Sequence, residues 1–263
     1  MYLHYYKGKN FGDELSPVIV DWMLNGNAVR DETFVAGQPK LAALGSVMHH
    51  LDSDYQVWGT GVMNPSELPN PNLRFSAVRG PMTRRWLLEN GYSEEQVPEV
   101  YGDPALLLPE VYTPKVLPWM SDLWVVIPHH SEQKMSQEDI DTLAIYRFHV
   151  VYPDEGWQAV VDAIANARGV ISQSLHGLIV ADAYGVPNVW WNKGILNHHE
   201  SHFKFIDYFQ SQGDAVRGSI LHVGEINEMN WRHFMGADKD PRTRNQVDLQ
   251  ALKAAFPTES LSR

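Results

Sequence analysis

The sequence predicts an α/β protein with two parallel-sheet domains of similar size facing one another across a cleft. Three observations carry this. Short apolar runs bounded by Gly and Pro alternate with helix-period segments along most of the chain, the pattern of β-α units around a parallel sheet. The alternation pauses between Thr113 and Ser121, where Pro114 and Pro118 interrupt a stretch with few periodic apolar positions, and then restarts. At about 150 residues per domain, 263 residues hold one large or two small domains, and the restart favours two. The boundaries fall at 1–115 and 120–225, with 226–263 as a C-terminal extension.

The elements follow in order. Asn10-Phe11-Gly12-Asp13-Glu14-Leu15 opens an apolar helix containing Val18, Ile19, Trp22 and Met23, with Asp13 as its N-cap or as a proton acceptor facing the cleft. Val57-Trp58 is a strand ending in the flexible turn Gly59-Thr60-Gly61. Phe75 to Arg79 is a second strand, followed by a helix with Pro81 at its first position and Gly91 as its stop. Gly102-Asp103-Pro104 reads as another strand end leading into a loop.

Past the linker, Leu123 to Ile127 is a buried strand ending at Pro128-His129-His130. Gly156 to Arg168 is a helix with Val160, Val161, Ile164 and Ala165 inward. Val170-Ile171-Ser172 is a strand, Leu175 to Tyr184 a helix closed by Gly185, and Val186 to Trp191 a further strand. Val247 to Phe256 is a terminal helix with Leu249, Leu252 and Phe256 on one face, packing back on a domain.

Composition narrows the function. With 44% hydrophobic and 20% charged residues the chain is an ordinary globular protein, which excludes a disordered scaffold or tail. Its net charge of −11 repels phosphate backbones and anionic headgroups, so nucleic acid is not an expected partner. Cysteine is absent, which removes disulfides, thiolate metal sites and thiol nucleophiles together. The first residues lack a basic stretch followed by an apolar run, and no run approaches the roughly 18 apolar residues of a spanning helix. The expected location is the cytoplasm, with peripheral attachment to the membrane's inner face left open. Nine Trp and 12 His are the unusual counts, and a sugar-handling protein uses both.

Chemistry concentrates at Ser172-Gln173-Ser174-Leu175-His176-Gly177, where a strand delivers polar residues to a helix start. Free backbone N–H groups and the positive end of the helix make such a turn an anion site. His176, in the first helical turn, is expected to titrate near neutrality and to act as a general acid or base. Arg79 and Arg84 bracket another helix start and would grip phosphate or carboxylate from both sides. Gly45-Ser46 and Gly59-Thr60-Gly61 let backbone approach a ligand closely, and neither belongs to a nucleotide-binding glycine fingerprint. Trp190-Trp191-Asn192 offers a stacking surface for a sugar, with a core role for Trp190 as the equal alternative. The pairs His49-His50 and His129-His130 and the cluster His198-His199-His202 lack HExxH spacing, so no metal site is assigned.

The ordered series Asn10-Phe11-Gly12-Asp13, Leu44-Gly45-Ser46, Val57-Trp58-Gly59-Thr60-Gly61, Ala77-Val78-Arg79-Gly80-Pro81, Gly102-Asp103-Pro104-Ala105, Ile127-Pro128-His129, Ser174-Leu175-His176-Gly177 and Lys204-Phe205-Ile206-Asp207-Tyr208 resembles the polysaccharide pyruvyltransferases. The resemblance runs from about residue 5 to 213, and implies two Rossmann-like domains in the arrangement of GT-B glycosyltransferases. It also implies transfer of a pyruvyl group from phosphoenolpyruvate to a bacterial-type exopolysaccharide or cell-surface sugar, free or lipid-linked, giving a cyclic ketal and phosphate with no other cofactor. On that reading His176, Asp13 and Asp103 are catalytic, and Arg79, Arg84, Ser174, Leu175, His129 and Lys204 hold the donor. Gly12, Ser46, Thr60, Gly61 and Trp191 hold the acceptor. Some members carry an arginine two places before the helix histidine; here Ser174 stands there. A glycosyltransferase using a nucleotide sugar, and a glycan-binding homologue without turnover, are the alternatives.

Overall fold

The computed structural model describes residues 1–26, 37–52, 54–63, 65, 69–192, 199–213, 220–222 and 246–261. Two parallel sheets organise it. In the first, β1 (Tyr2–His4), β2 (Lys40–Ala42), β3 (Tyr55–Trp58) and β4 (Arg74–Ala77) lie side by side in chain order. In the second, β5 (Trp124–Ile127), β6 (Phe148–Val150), β7 (Gly169–Ser172), β8 (Asn188–Asn192) and β9 (Ile220–His222) are arranged 6-5-7-8-9. All pairings among the described residues are parallel.

The central strands of the second sheet are buried along their whole length, as parallel strands covered on both faces must be. Side chains alternate across the sheet. Val125, Ile127, Val170 and Trp190 enter the main core, whereas Trp124, Val126, Ile171, Val189 and Trp191 join Leu143 and Phe148 on the opposite face. One step along β8 therefore separates Trp190 from Trp191.

Helices α1 (Phe11–Met23), α2 (Pro81–Glu89), α3 (Leu108–Val111), α4 (Gln137–Ile145), α5 (Trp157–Asn166), α6 (Leu175–Ala183), α7 (His199–Ser211), α8 (Leu249–Ala254) and α9 (Thr258–Leu261) surround the sheets, together with 3-10 turns at Met48–His50, Pro104–Leu107 and Pro118–Met120. Pro81 starts α2, and Gly91 follows its end at φ +102°, a conformation an L side chain resists. Gly185 follows α6 in the same way, at φ +69°.

The helices interleave the two halves of the chain. Helix α1 packs against α5, with Phe11 N–H donating to Pro153 O at 2.8 Å and Trp157 N–H donating to Glu14 Oε2 at 3.1 Å. Helix α7 packs against α2. Helix α8 returns to the first half, where Trp58 Nε1 donates to Leu252 O at 2.8 Å and meets Phe256 edge-on. The main core is accordingly continuous across both sheets.

Three expectations change. Asp103 does not sit on a strand end running into a loop: its Oδ1 accepts from Ala105 N–H and caps a 3-10 turn, Pro104–Leu107, that runs into α3. Asp13 is not the N-cap of α1, because Asn10 takes that position in extended backbone and places Asp13 inside the first turn. Ala165 is half-buried, and the inward alanine of α5 is Ala163. Residues 226–245 of the extension lie outside the described residues.

Candidate active site

Both sheets direct the carboxyl ends of their strands at one cavity of about 330 Å³. Tyr6 follows β1, Gly45 and Ser46 follow β2, His129 and His130 follow β5, and Ser174 to His176 follow β7. Ligand sites in open α/β sheets form at these ends, where loops can vary without disturbing the core.

Gln173 and Ser172 shape the turn before α6. Ser172 Oγ accepts from Ser174 N–H at 3.0 Å and donates to Ser174 O at 2.8 Å, and Gln173 Oε1 accepts from His129 N–H at 2.8 Å. Ser174 holds the N-cap position in extended backbone but its side chain makes no capping bond, so the first-turn N–H groups of α6 carry no side-chain acceptor. Ser174, Leu175 and His176 all line the cavity there.

His176 is 7% exposed. Its Nε2 is buried, unbonded, and 3.8 Å from Asp103 Oδ2. Its Nδ1 lies over Gly12, where an added Cβ would come within 2.1 Å of it. Gly12 is thus a close-approach glycine that makes room for the imidazole. The expected titration near neutrality is corrected: burial pushes the His176 pKa down to about 3, with Lys204 and Arg79 adding to the shift, so the ring is neutral at physiological pH. Asp103, wholly buried, is pushed up to about 6 by burial, opposed by the Ala105 N–H, Arg79 and the Gly45 N–H.

Asp13 lines the cavity and accepts from Asn10 Nδ2 at 2.7 Å. Burial raises its pKa to about 7, against the Asn10 hydrogen bond and the Lys204 charge. Asn10 Oδ1 is buried with no partner. Lys204, from α7, is the one Lys or Arg among the described residues that lines the cavity; burial and Arg79 lower its pKa to about 8 and Asp13 partly restores it. His129 is held down at about 4, by burial first and Lys204 second, and its Nδ1 lies 2.7 Å from Ser131 Oγ. One acid, one amine and a neutral imidazole therefore face the same space with titrations displaced toward neutrality or below, the arrangement expected where protons move.

Arg79 lies behind this wall and does not line the cavity. Its Nε donates to Asp207 Oδ2 at 2.9 Å, Nη1 to Ser46 Oγ at 2.6 Å and to Gly45 O at 3.4 Å, and Nη2 to Val62 O at 2.7 Å. Asp207 also accepts from Thr83 N–H at 2.8 Å and Thr83 Oγ1 at 2.7 Å, so a carboxylate from α7 occupies the start of α2. The expectation that Arg79 and Arg84 flank that helix start for a ligand is corrected: Arg84 turns away, donating to Val97 O and pairing with Glu99.

Of the residues expected at the acceptor, Ser46 lines the cavity and Gly12 backs it. Thr60 is buried beneath the Gly45 turn, donating to Gly45 O at 3.0 Å. Gly61 stands against the Arg79 guanidinium, where a Cβ would come within 2.5 Å. Trp191 is corrected to a core residue on the far face of its sheet, and Trp190 stacks on Phe205 at 4.5 Å. His198 lies outside the described residues, as does the His199 side chain; His202 Nε2 is 3.0 Å from Asn192 Nδ2. Among the described residues no three His, Asp or Glu side chains converge as a metal ion requires, and no helix is long and apolar enough to cross a membrane.

The sequence reading does not find Tyr6, His50, Met63 and His130 in the lining, nor the role of Asp207. Asp207 carries one usable signal, its place one helical turn beyond Lys204. The lining residues at the mouth come from four separate loops, and no spacing unites them.

Comparison with known proteins places residues 70–191 in a match to the family described as polysaccharide pyruvyl transferase. That span holds Arg79, Asp103, His129, Ser174 and His176; Asp13 and Lys204 fall outside it. Among curated proteins, the succinoglycan biosynthesis protein ExoV of Rhizobium meliloti (strain 1021) is 25% identical, with the alignment spanning 91% of this chain and 76% of that protein. An uncharacterized protein, L143, of Acanthamoeba polyphaga mimivirus is 22% identical over 220 residues, 81% of this chain and 75% of that protein.

Proposed function

We propose that this chain, whose residues 70–191 match the polysaccharide pyruvyl transferase family, transfers a pyruvyl group from phosphoenolpyruvate to a saccharide and leaves it as a cyclic ketal. The two sheets are read as Rossmann-like halves in a GT-B-like arrangement. The observation that carries the proposal is the convergence of His176, Asp13 and Lys204 on one cavity at an uncapped helix N-terminus. The name of the relative ExoV, a succinoglycan biosynthesis protein, supports a polysaccharide setting.

The donor carries a phosphate and a carboxylate. These anions fit the first-turn N–H groups of α6 and the Lys204 ammonium. Ser174 stands where some members of that family carry an arginine, which leaves Lys204 as the cation that meets them, and Arg79 adds positive potential from behind the wall. Neutral His176 gains basicity when a dianion enters, because an opposite charge within about 4–6 Å favours the protonated ring. Asp103, beside Nε2, steadies that imidazolium.

His176 then gives its proton to the methylene carbon, and the neighbouring carbon becomes oxocarbenium-like. A sugar hydroxyl, losing its proton to ionised Asp13, bonds to that carbon. The carbon–oxygen bond to phosphate breaks with its electron pair, and a second hydroxyl closes the ring. Of the two hydroxyl protons released, one balances the proton delivered to the methyl group and the other leaves with phosphate.

Calorimetric titration separates this reading from a nucleotide-sugar transferase, which would use the same helix N-terminus for a diphosphate. The expected result is heat with phosphoenolpyruvate and none with nucleotide sugars, and a His176→Ala variant that binds phosphoenolpyruvate but releases no phosphate. Binding of nucleotide sugars alone would reject the proposal, and near wild-type turnover in His176→Ala would remove His176 from the chemistry.

A further inference from the structure

We propose that the mouth of this cavity is a saccharide subsite, in which Tyr6 and Met63 form an apolar platform for the C–H face of a sugar ring while His50 and His130 meet its hydroxyls. The inference rests on the saccharide acceptor proposed above and assigns it a place.

The cavity lining divides by depth. Among the described residues its four exposed side chains are Tyr6, His50, Met63 and His130, and every other described lining residue is half-buried or buried. Asp13 and Lys204, the carboxylate and the ammonium among the described lining residues, both belong to the deeper set. An anionic donor is therefore drawn inward, below the exposed side chains.

The rim is also unusually apolar. Five large hydrophobic side chains are exposed among the described residues, and two of them, Tyr6 at 54% and Met63 at 40%, meet here. Exposed apolar groups beside buried reacting groups fit a ligand with one apolar and one polar aspect. A pyranose is such a ligand: its axial C–H bonds pack on an aromatic or thioether surface, and its equatorial hydroxyls need both donors and acceptors. Neutral imidazole supplies one of each. Burial and Lys204 hold His130 below the ordinary histidine range, which keeps it in that form.

The rim is braced. The Tyr6 ring lies over Gly8, where an added Cβ would come within 2.1 Å of it, and faces His130 with ring centroids 6.4 Å apart. His50 packs on His49 at 3.9 Å and His130 on His129 at 4.3 Å. Tyr6, His50 and Met63 come from the first half of the chain and His130 from the second, so a sugar here would touch both and point a hydroxyl down to Asp13.

Saturation-transfer NMR with neutral methyl glycosides and disaccharides tests the subsite without any donor. The wild-type chain should bind at least one of them. Tyr6→Ala should weaken that binding about tenfold, the size of a lost aromatic contact, and Tyr6→Phe should retain it. Tyr6 is exposed, so an unchanged thermal melt confirms that Tyr6→Ala still folds. Saccharide binding unaffected by Tyr6→Ala and Met63→Ala, or no saccharide bound by the wild-type chain, overturns the subsite. Tyr6-dependent binding in a protein that gives no heat with phosphoenolpyruvate would support the subsite while rejecting the pyruvyl reading.

Discussion

Arg79 Nε donates to Asp207 Oδ2 at 2.9 Å, and neither side chain has exposed surface. The pair joins the residue that follows the first sheet's last pairings to a helix 128 positions later in the chain. Tyr208, the next residue, points the other way and donates to Asp182 Oδ2 in α6. Helix α7 is therefore held by both halves, and Lys204 stands on it one turn before Asp207. Removing one member of a buried ion pair strands the other, at a cost of about 3–5 kcal/mol. Asp207→Asn should lower unfolding stability in urea by that order, and a loss below about 1 kcal/mol would contradict the pair's assigned weight.

Lys204→Met should leave the fold intact and weaken phosphoenolpyruvate binding by roughly 10- to 100-fold, since a hydrogen bond to a charged group contributes about 1.5–3 kcal/mol. Calorimetry reads this directly. Unchanged affinity would place the donor elsewhere.

The pH profile should be narrow. Asp13 must be ionised to accept the acceptor's proton, so activity rises with pH through about 7, where burial places its pKa. Lys204 must be charged to hold the donor, so activity falls as pH passes about 8. Asp13→Asn should remove the rising limb together with most of the rate. A flat profile from pH 6 to 9 would dissociate both groups from the reaction.

Gly12→Ala isolates the imidazole's position. Alanine favours a helix over glycine by about 1 kcal/mol, but its Cβ would fall 2.1 Å from His176 Nδ1. The ring must move, so turnover should drop at least about tenfold, the effect of a small misplacement at the reacting centre, while the thermal midpoint changes little. Wild-type turnover would show that the ring's seat over Gly12 is not needed.

Much of the fold is legible in the sequence. Strands β5, β7 and β8 announce themselves as continuous apolar runs, and α6 by its position between a strand and Gly185. Strands β1, β2 and β6 are three residues each, too short for periodicity to register, and α4 buries little beyond Leu143, so its stripe is faint. His176 lies in the first turn of its helix as the sequence predicts, because a helix start fixes where its first turn points, whereas Asp13 sits inside the first turn of α1 and not at its cap. The surroundings of Arg79 are not legible, since a sequence shows a cation but not the four protein acceptors that enclose it. The same holds for the rim, where Tyr6, His50, Met63 and His130 meet only because two sheets aim their strand ends at one space.

The central claim is most directly tested by following ¹³C-labelled phosphoenolpyruvate by NMR in the presence of the 263-residue chain and a panel of saccharides. The account predicts a new ketal methyl resonance on the saccharide that grows in step with inorganic phosphate and is absent in His176→Ala. Unchanged phosphoenolpyruvate with every saccharide, or phosphate released as free pyruvate forms and no ketal appears, would contradict it.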